Sequence, residues 1–431
     1  MFNRRQFLRV AALTSGASLI ASRSAAQPAA ARSGPASALP GPIAALASMK
    51  AQALPITAGE RRGRIEQARR LMASHGLDAI ILGQGTSLAY FSGMHWSGGE
   101  RLFAMVLPGR GEAFYVAPGF EEDRAREQIA QGPLGDHADV RTWQEDENPY
   151  QKLAQGLKDR AIASGRLGIE ERAPFVFSEG LAQASPAARI ASATPVTAGC
   201  RMIKERHEID LMRLAAQVTL KAYEAAYRSL RPGMTQDDFS SLVSLAHSRL
   251  GFSGDAGVSV GTYSALPHGS ITPQVIREGT ILLMDGGCSV EGYVSDISRT
   301  FVLGKPTVKM KEVFDIVHGA QSAALAAARP GVPCENVDAA ARNVIAQAGY
   351  GPGYRYFSHR VGHGMGMDGH EWPYLVRGNA LPISAGMVFS DEPGIYIRGE
   401  FGVRLEDDMH ITENGAELFT PQSPSLEHPF G

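Results

Sequence analysis

Cysteine is nearly missing from this chain of 431 residues: Cys200, Cys288 and Cys334 are too few and too scattered for a disulfide framework or a zinc knuckle. Net charge is nearly missing too. A formal balance of −2 gives no reason to expect nucleic acid or another polyanion as a partner. Nor is there a long unbroken apolar run. The nearest approach, close to the N-terminus, is interrupted by Thr14, Ser15, Gly16 and Ser18, which argues against a spanning helix and against integral membrane association. What is left is an ordinary globular composition, with enough length for two or three domains.

The first residues read as an address and not as fold. Arg4 and Arg5, then Phe7 and Leu8, a modest apolar stretch and a small-residue site ending at Ala26 resemble a twin-arginine export signal over 1–26, with Asn3 where Ser or Thr is commoner. A periplasmic or secreted location is expected. Residues 27–55, rich in Ala, Ser, Gly and Pro, read as a linker or loosely docked arm. Over 56–197 helical and strand patterns alternate, which predicts a smaller α/β domain. Its strands are expected at 79–82, 102–107, 113–116 and 167–170, and its helices at 60–75, 121–131 and 149–163. His95 and Trp96 could line a ligand cleft there or belong to a packed loop. Over 198–431 long helices at 205–230, 235–250, 311–328 and 336–348 flank glycine-rich strands. This predicts an α+β domain, with helices covering a curved antiparallel sheet.

The chemistry is concentrated in that second domain. In 281–301, ILLMDGGCSVEGYVSDISRTF, an apolar run predicts a buried strand ending at Asp285, and a β-rich run is interrupted by Asp296. With a turn centred near Val290 and Glu291, the two acids face each other across a hairpin. Opposed like charges destabilise a sheet pair, and burial makes them costlier, so a divalent cation between them is the simplest remedy. Taken alone, the spacing is also met by one Asp in solvent and the other paired with Arg299. Downstream, HRVGHGMGMDGHE gathers His359, His363 and His370. Gly362, Gly364, Gly366 and Gly369 would cost a helix about 1 kcal/mol each, so an extended segment open to substrate is expected. In FSDEPGIYIRGEFGVRLEDD, strands at 394–397 and 402–405 around a turn near Gly399 place Glu392 and Glu406 on opposite arms. Four carboxylates and one neutral imidazole balance two divalent ions. An oxygen-rich set of this kind suits manganese, cobalt or zinc, and activation of water beside a polarised carbonyl.

LMDGGCSVEGYVSDISRTF, GHGMGMDGHEWP, VFSDEPGIY and GVRLEDD closely resemble the motifs of the pita-bread metallopeptidases, in particular the Xaa-Pro peptidases prolidase and aminopeptidase P. The first half resembles the creatinase/prolidase amino-terminal domain. The resemblance implies a pita-bread catalytic domain and a dinuclear centre held by Asp285, Asp296, His363, Glu392 and Glu406, with manganese the expected ion. It implies hydrolysis of the Xaa-Pro bond in proline-containing dipeptides or short peptides, by a homodimer or higher homo-oligomer. It also implies that His268, in ALPHGS, contacts substrate and steadies the tetrahedral intermediate. His359 and His370 would stand beside the ions or substrate, Glu392 would double as a proton shuttle, and Arg404 would lie near the last ligand. Arg404 could instead pair with Asp407 or Asp408.

The chain departs from the family pattern at Gly269, where a larger side chain is common, and at Asp391, where an apolar residue is frequent. These departures leave dipeptidase and aminopeptidase both open. Two other functions fit the same architecture: a metal-free, creatinase-like amidohydrolase and a non-catalytic peptide-binding module. The intact set of acids weighs against both, because acids buried together without a cation are costly.

Overall fold

The computed structural model describes residues 39–97 and 99–431, so the motif around Arg4 and Arg5 and the first part of the expected linker lie outside the described residues. From Gly41 on, that linker is docked through a few apolar side chains. Its single helical turn, α1 (Gly41–Ala44), buries Ile43 completely against the second domain, and the backbone N–H of Met49 donates to Leu250 O at 2.8 Å. Apolar residues at Ile43, Met49 and Ile56 account for the docking.

Helix α2 (Ala58–His75) starts at a reciprocal Thr57–Glu60 capping box and ends at Gly76. The first domain continues with β1 (Ala79–Gly83), α3 (Thr86–Ser92), β2 (Ala104–Pro108), β3 (Phe114–Pro118), α4 (Glu122–Ala130) and β4 (Asp139–Trp143). It closes with α5 (Pro149–Asp159), β5 (Arg166–Ile169), α6 (Phe175–Ala184), β6 (Arg189–Ser192) and α7 (Thr194–Met202). The strands form a mixed sheet in the order β4-β3-β2-β1-β5-β6. Strand β1 is apolar throughout because both faces are covered: Ile80 and Leu82 enter one cluster, Ala79 and Ile81 the other. Trp96 is packed, stacked on Phe103 with ring centroids 4.0 Å apart, as a structural loop requires.

The second domain opens with α8 (Arg206–Ser229) and α9 (Gln236–Leu250), the latter capped by Thr235 and Asp238. Strands β7 (Ser253–Val260), β8 (Ile281–Val290), β9 (Tyr293–Val294) and β10 (Ile297–Val302) follow, then α10 (Val308–Ala327) and α11 (Cys334–Ile345). The chain ends in β11 (Gly362–Gly364), β12 (Glu371–Leu375), β13 (Val388–Asp391), β14 (Gly394–Ile397), β15 (Phe401–Arg404), β16 (Asp407–Thr412) and β17 (Gly415–Leu418). These strands pair antiparallel, in the orders β10-β8-β7, with β9 on β8, and β12-β11-β13-β16-β17, plus the β14–β15 hairpin. Strand β8 shows what orients the site. Leu282, Met284, Cys288 and Val290 enter the cluster formed with α8 and α9, so the alternating Asp285 faces the other way.

The hairpin register differs from the sequence expectation. Its turn is Glu291-Gly292, with φ of 50° and 85°, the positive pair that a two-residue turn of this hand needs. That centre lies one residue later than expected, so Asp285 stands opposite Ser298, and Asp296 falls diagonally from it in the break between β9 and β10. No described helix is long and apolar enough to cross a membrane.

Candidate metal centre

Three of the five expected ligands, Asp296, Glu392 and Glu406, sit where one strand hands over to another. Asp285 lies within β8 at the edge of its apolar run, and Asp296 precedes β10. Glu392 lies between β13 and β14, Glu406 between β15 and β16. The flanking pairs Asp391–Asp407 and Gly394–Arg404 share one register, which places the two glutamates opposite each other. His363 comes from the middle of β11, which is extended as the glycines suggested. Gly362 is needed for that strand to approach β13, since a Cβ there would lie 2.0 Å from Ser390 O.

These side chains converge. Donor atoms of Asp285, Asp296 and Glu406 lie within 4.8 Å of one another, as do those of His363, Glu392 and Glu406, and those of Asp296, His363 and His370. His363 Nε2 is 3.5 Å from Glu392 Oε1 and 3.8 Å from Asp296 Oδ2. All five border one cleft of about 380 Å³, together with His268, His359, His370 and Arg404. The structure thus gathers the five expected ligands, His268, His359, His370 and Arg404 in one cleft, while His95 and Trp96 border a separate one. Sequence reasoning missed Ser298, Tyr396 and Arg360, which touch these groups.

Arg404 does not pair with Asp407 or Asp408. Its Nη2 is 2.6 Å from Asp285 Oδ2, and Nη1 donates to Pro267 O and to the Tyr396 hydroxyl, each at 3.0 Å. Arg299, the alternative partner for a hairpin Asp, is instead buried against Asp407 at 2.7 Å. Ser298 Oγ lies 2.7 Å from Asp285 Oδ1 and 2.6 Å from Glu406 Oε2, yet has a single hydrogen to offer two acids.

Charge is therefore left over. Burial pushes Glu392 up to about 8, with Asp285 adding and Arg404 opposing. Burial, then the neighbouring acids Asp285 and Asp408, drive Asp296 far above the usual carboxylate range. Glu406 is raised in the same way by burial, Asp296 and Glu392. Burial also acts to raise Asp285, but Arg404 and the Ser298 hydroxyl outweigh it and hold that acid low. A cluster of four acids served by a single guanidinium, which lies 2.6 Å from Asp285 and 3.9 Å from Glu406, fits divalent cations held by oxygen and one nitrogen.

Hydrogen bonds separate the roles of the three imidazoles. Burial lowers His363 to about 3, so it is neutral; Nδ1–H donates to Gly364 O at 3.2 Å and leaves the Nε2 lone pair toward the acids, as a metal ligand requires. His370 is the reverse. Its Nδ1 accepts from Arg360 Nη2 at 2.9 Å, so the proton of the neutral ring sits on Nε2. It offers the cleft an N–H donor, with its ring stacked on His363 at a centroid distance of 3.7 Å. His359, lowered to about 3 by burial and Arg404, accepts from the Tyr396 hydroxyl at Nε2 (2.7 Å) and donates from Nδ1 to Arg360 O. Asp391 lines no part of the cleft. It is fully buried with both carboxylate oxygens unbonded, and burial holds it protonated, so it fills an apolar position as a neutral acid.

Residues 210–413 match the model of metallopeptidase family M24, and residues 64–203 match the creatinase/prolidase N-terminal domain. The chain is 37% identical over 359 residues to a probable dipeptidase PepE of Mycobacterium bovis, covering 82% of this chain and 92% of that one. It is 31% identical over 369 residues to an Xaa-Pro dipeptidase of Lactobacillus delbrueckii subsp. lactis, covering 84% and 98%. The crystal structure of dipeptidase PepE from Mycobacterium ulcerans superposes with a TM-score of 0.81 at 33% identity, over 87% of this chain and 99% of that one.

Proposed function

The chain belongs to metallopeptidase family M24, a pita-bread catalytic domain preceded by a creatinase/prolidase amino-terminal domain, and from that premise we propose that it hydrolyses the bond before proline in Xaa-Pro dipeptides or short peptides. The observation that carries this reading is the convergence of four acids and a neutral, correctly protonated His363 on one cleft. At about 380 Å³ the cleft lies at the small end of ligand sites. Likeness to the Lactobacillus Xaa-Pro dipeptidase supports the choice of bond.

Divalent ions held by Asp285, Asp296, His363, Glu392 and Glu406 supply Lewis acidity and water activation when bound, and manganese is the ion we assign to this oxygen-rich set. Glu392 takes the proton of the attacking water and returns it to the proline nitrogen, which must leave as an amine. His268 and the Nε2–H of His370 border the same cleft and steady the negative charge that grows on the carbonyl oxygen. The row Arg404, Tyr396, His359 fixes the back wall, each group holding the next.

The test is hydrolysis of Ala-Pro against Ala-Ala by chelated protein resupplied with manganese, cobalt or zinc. The expected result is no turnover after chelation and at least about tenfold higher kcat/KM for Ala-Pro on resupply, a difference of about 1.4 kcal/mol. Full activity after exhaustive chelation would favour the amidohydrolase, and no turnover with any ion the binding module. We further propose that the protein is exported by the twin-arginine route. Changing Arg4 and Arg5 to Lys should then retain active enzyme in the cytoplasm, and unchanged export would refute it.

A further inference from the structure

The loop that carries His370 is held from the other domain. Between β11 and β12 the backbone curls round the Glu371 carboxylate, whose Oε1 accepts from the N–H groups of Met367 (2.9 Å) and Asp368 (3.0 Å). Gly366 closes the curl, since a Cβ there would come 2.8 Å from Glu371 Oε2. The two acids that bracket His370 are then gripped by the amino-terminal domain. Arg201 Nη2, from α7, lies 2.5 Å from Asp368 Oδ2 and 2.5 Å from Glu371 Oε1. Thr86 donates to Asp368 Oδ1 at 2.6 Å, and Arg172 reaches the same oxygen at 3.2 Å. Lys204 Nζ stands 3.5 Å from Glu371 Oε2. Arg201, Lys204 and Glu371 are buried.

We propose that Arg201 is a positioning residue of the peptidase, acting through Asp368 and Glu371 to hold the His370 N–H donor over the cleft. The proposal rests on the metallopeptidase reading above and adds to it a catalytic task for the amino-terminal domain. A tie between domains does not need this location. Arg64 already supplies one, 3.4 Å from Glu208 and donating to the Tyr293 hydroxyl at 2.9 Å, away from any cleft histidine. The Arg201 tie instead clasps the residues two before and one after His370. One guanidinium nitrogen shared by both acids fixes the ends of the turn relative to each other, and so fixes the direction of the imidazole between them. Arg201 touches no atom of the reaction. Its effect must pass through His370 or not appear in kcat at all.

The test is a double-mutant cycle between Arg201→Gln and His370→Ala, read on the manganese-loaded full chain. Positioning predicts about a tenfold fall in kcat for Arg201→Gln with KM within twofold, and no further loss when it is added to His370→Ala. Arg201→Lys, which keeps the charge on a single nitrogen carried by a differently shaped side chain, should recover part of that loss. Multiplicative losses in the double variant, or wild-type kcat in folded Arg201→Gln, would overturn the proposal. Should Arg201→Gln not fold, Thr86→Val takes its place in the cycle, with the same two outcomes. A second readout does not depend on substrate. The His370 ring-proton resonances, identified by their disappearance in His370→Ala, should shift in Arg201→Gln and Thr86→Val as the stack on His363 loosens, and stay fixed in Arg213→Gln, a control at the exposed Arg213–Glu417 pair. Unmoved resonances would overturn the proposal even if another substrate class replaced Xaa-Pro. Shifted resonances with no Xaa-Pro turnover would support it and overturn the substrate reading instead.

Discussion

Exchanging Glu392 for glutamine should lower kcat on Ala-Pro by about 10³-fold while the protein stays folded. Glutamine keeps the shape of the side chain and removes what the reaction uses, a group able to take and return a proton. It also removes an anionic oxygen 3.5 Å from His363 Nε2, weakening the hold on any cation between them. The size of the loss follows from combining both deficits, since general acid–base participation alone is worth about 10²–10⁴. Stability should move the other way in chelated protein, because burial and the nearby Asp285 already disfavour the Glu392 anion. Steady-state kinetics and a thermal midpoint on the same preparation separate the two effects. A kcat within tenfold of wild type would remove Glu392 from the proton path.

The second large effect concerns pH in the absence of metal. The folded chain holds a proton on Glu392 up to about pH 8, whereas the unfolded chain releases it near its ordinary value of 4.5. Between these values the folded state binds more protons than the unfolded one, so stability falls as pH rises. Asp296 and Glu406 are raised as well and add to the same slope. Asp285 is lowered and opposes it, but its stabilisation is complete once pH exceeds the unfolded carboxylate range. Each raised group contributes up to about 1.4 kcal/mol per pH unit. Chelated protein should therefore unfold at progressively lower urea between about pH 5 and 8. Manganese at a thousand times its dissociation constant should restore about 4 kcal/mol per site. A flat profile in chelated protein would mean that the acids are compensated within the chain.

Much of the site was legible in the sequence because turn chemistry is local. Gly399 marked a symmetrical hairpin, and the observed register does place Glu392 opposite Glu406. The first hairpin shows the limit of that reasoning. Glu291 with positive φ is less obvious as a turn residue than a glycine, and moving the centre by one residue turns a facing pair of acids into a diagonal one, with Ser298 opposite Asp285. The first-domain strands that went unanticipated, β4 and β6, are the edges of their sheet. Edge strands such as Asp139–Trp143 are only partly covered and lack the apolar run that betrays a central strand. Least legible were the long-range ionic ties. Nothing near Arg201 in sequence points to Asp368 or Glu371, and nothing near Arg404 selects Asp285 over the closer Asp407 and Asp408. Such pairings are set by tertiary approach, which local pattern does not encode.

The central claim is that Asp285, Asp296, His363, Glu392 and Glu406 enclose divalent ions. An anomalous-scattering map of manganese-loaded crystals tests it directly. Two peaks within ligand distance of those five side chains are the expected result. A cleft without a peak, in protein that still cleaves Ala-Pro at full rate, would contradict it.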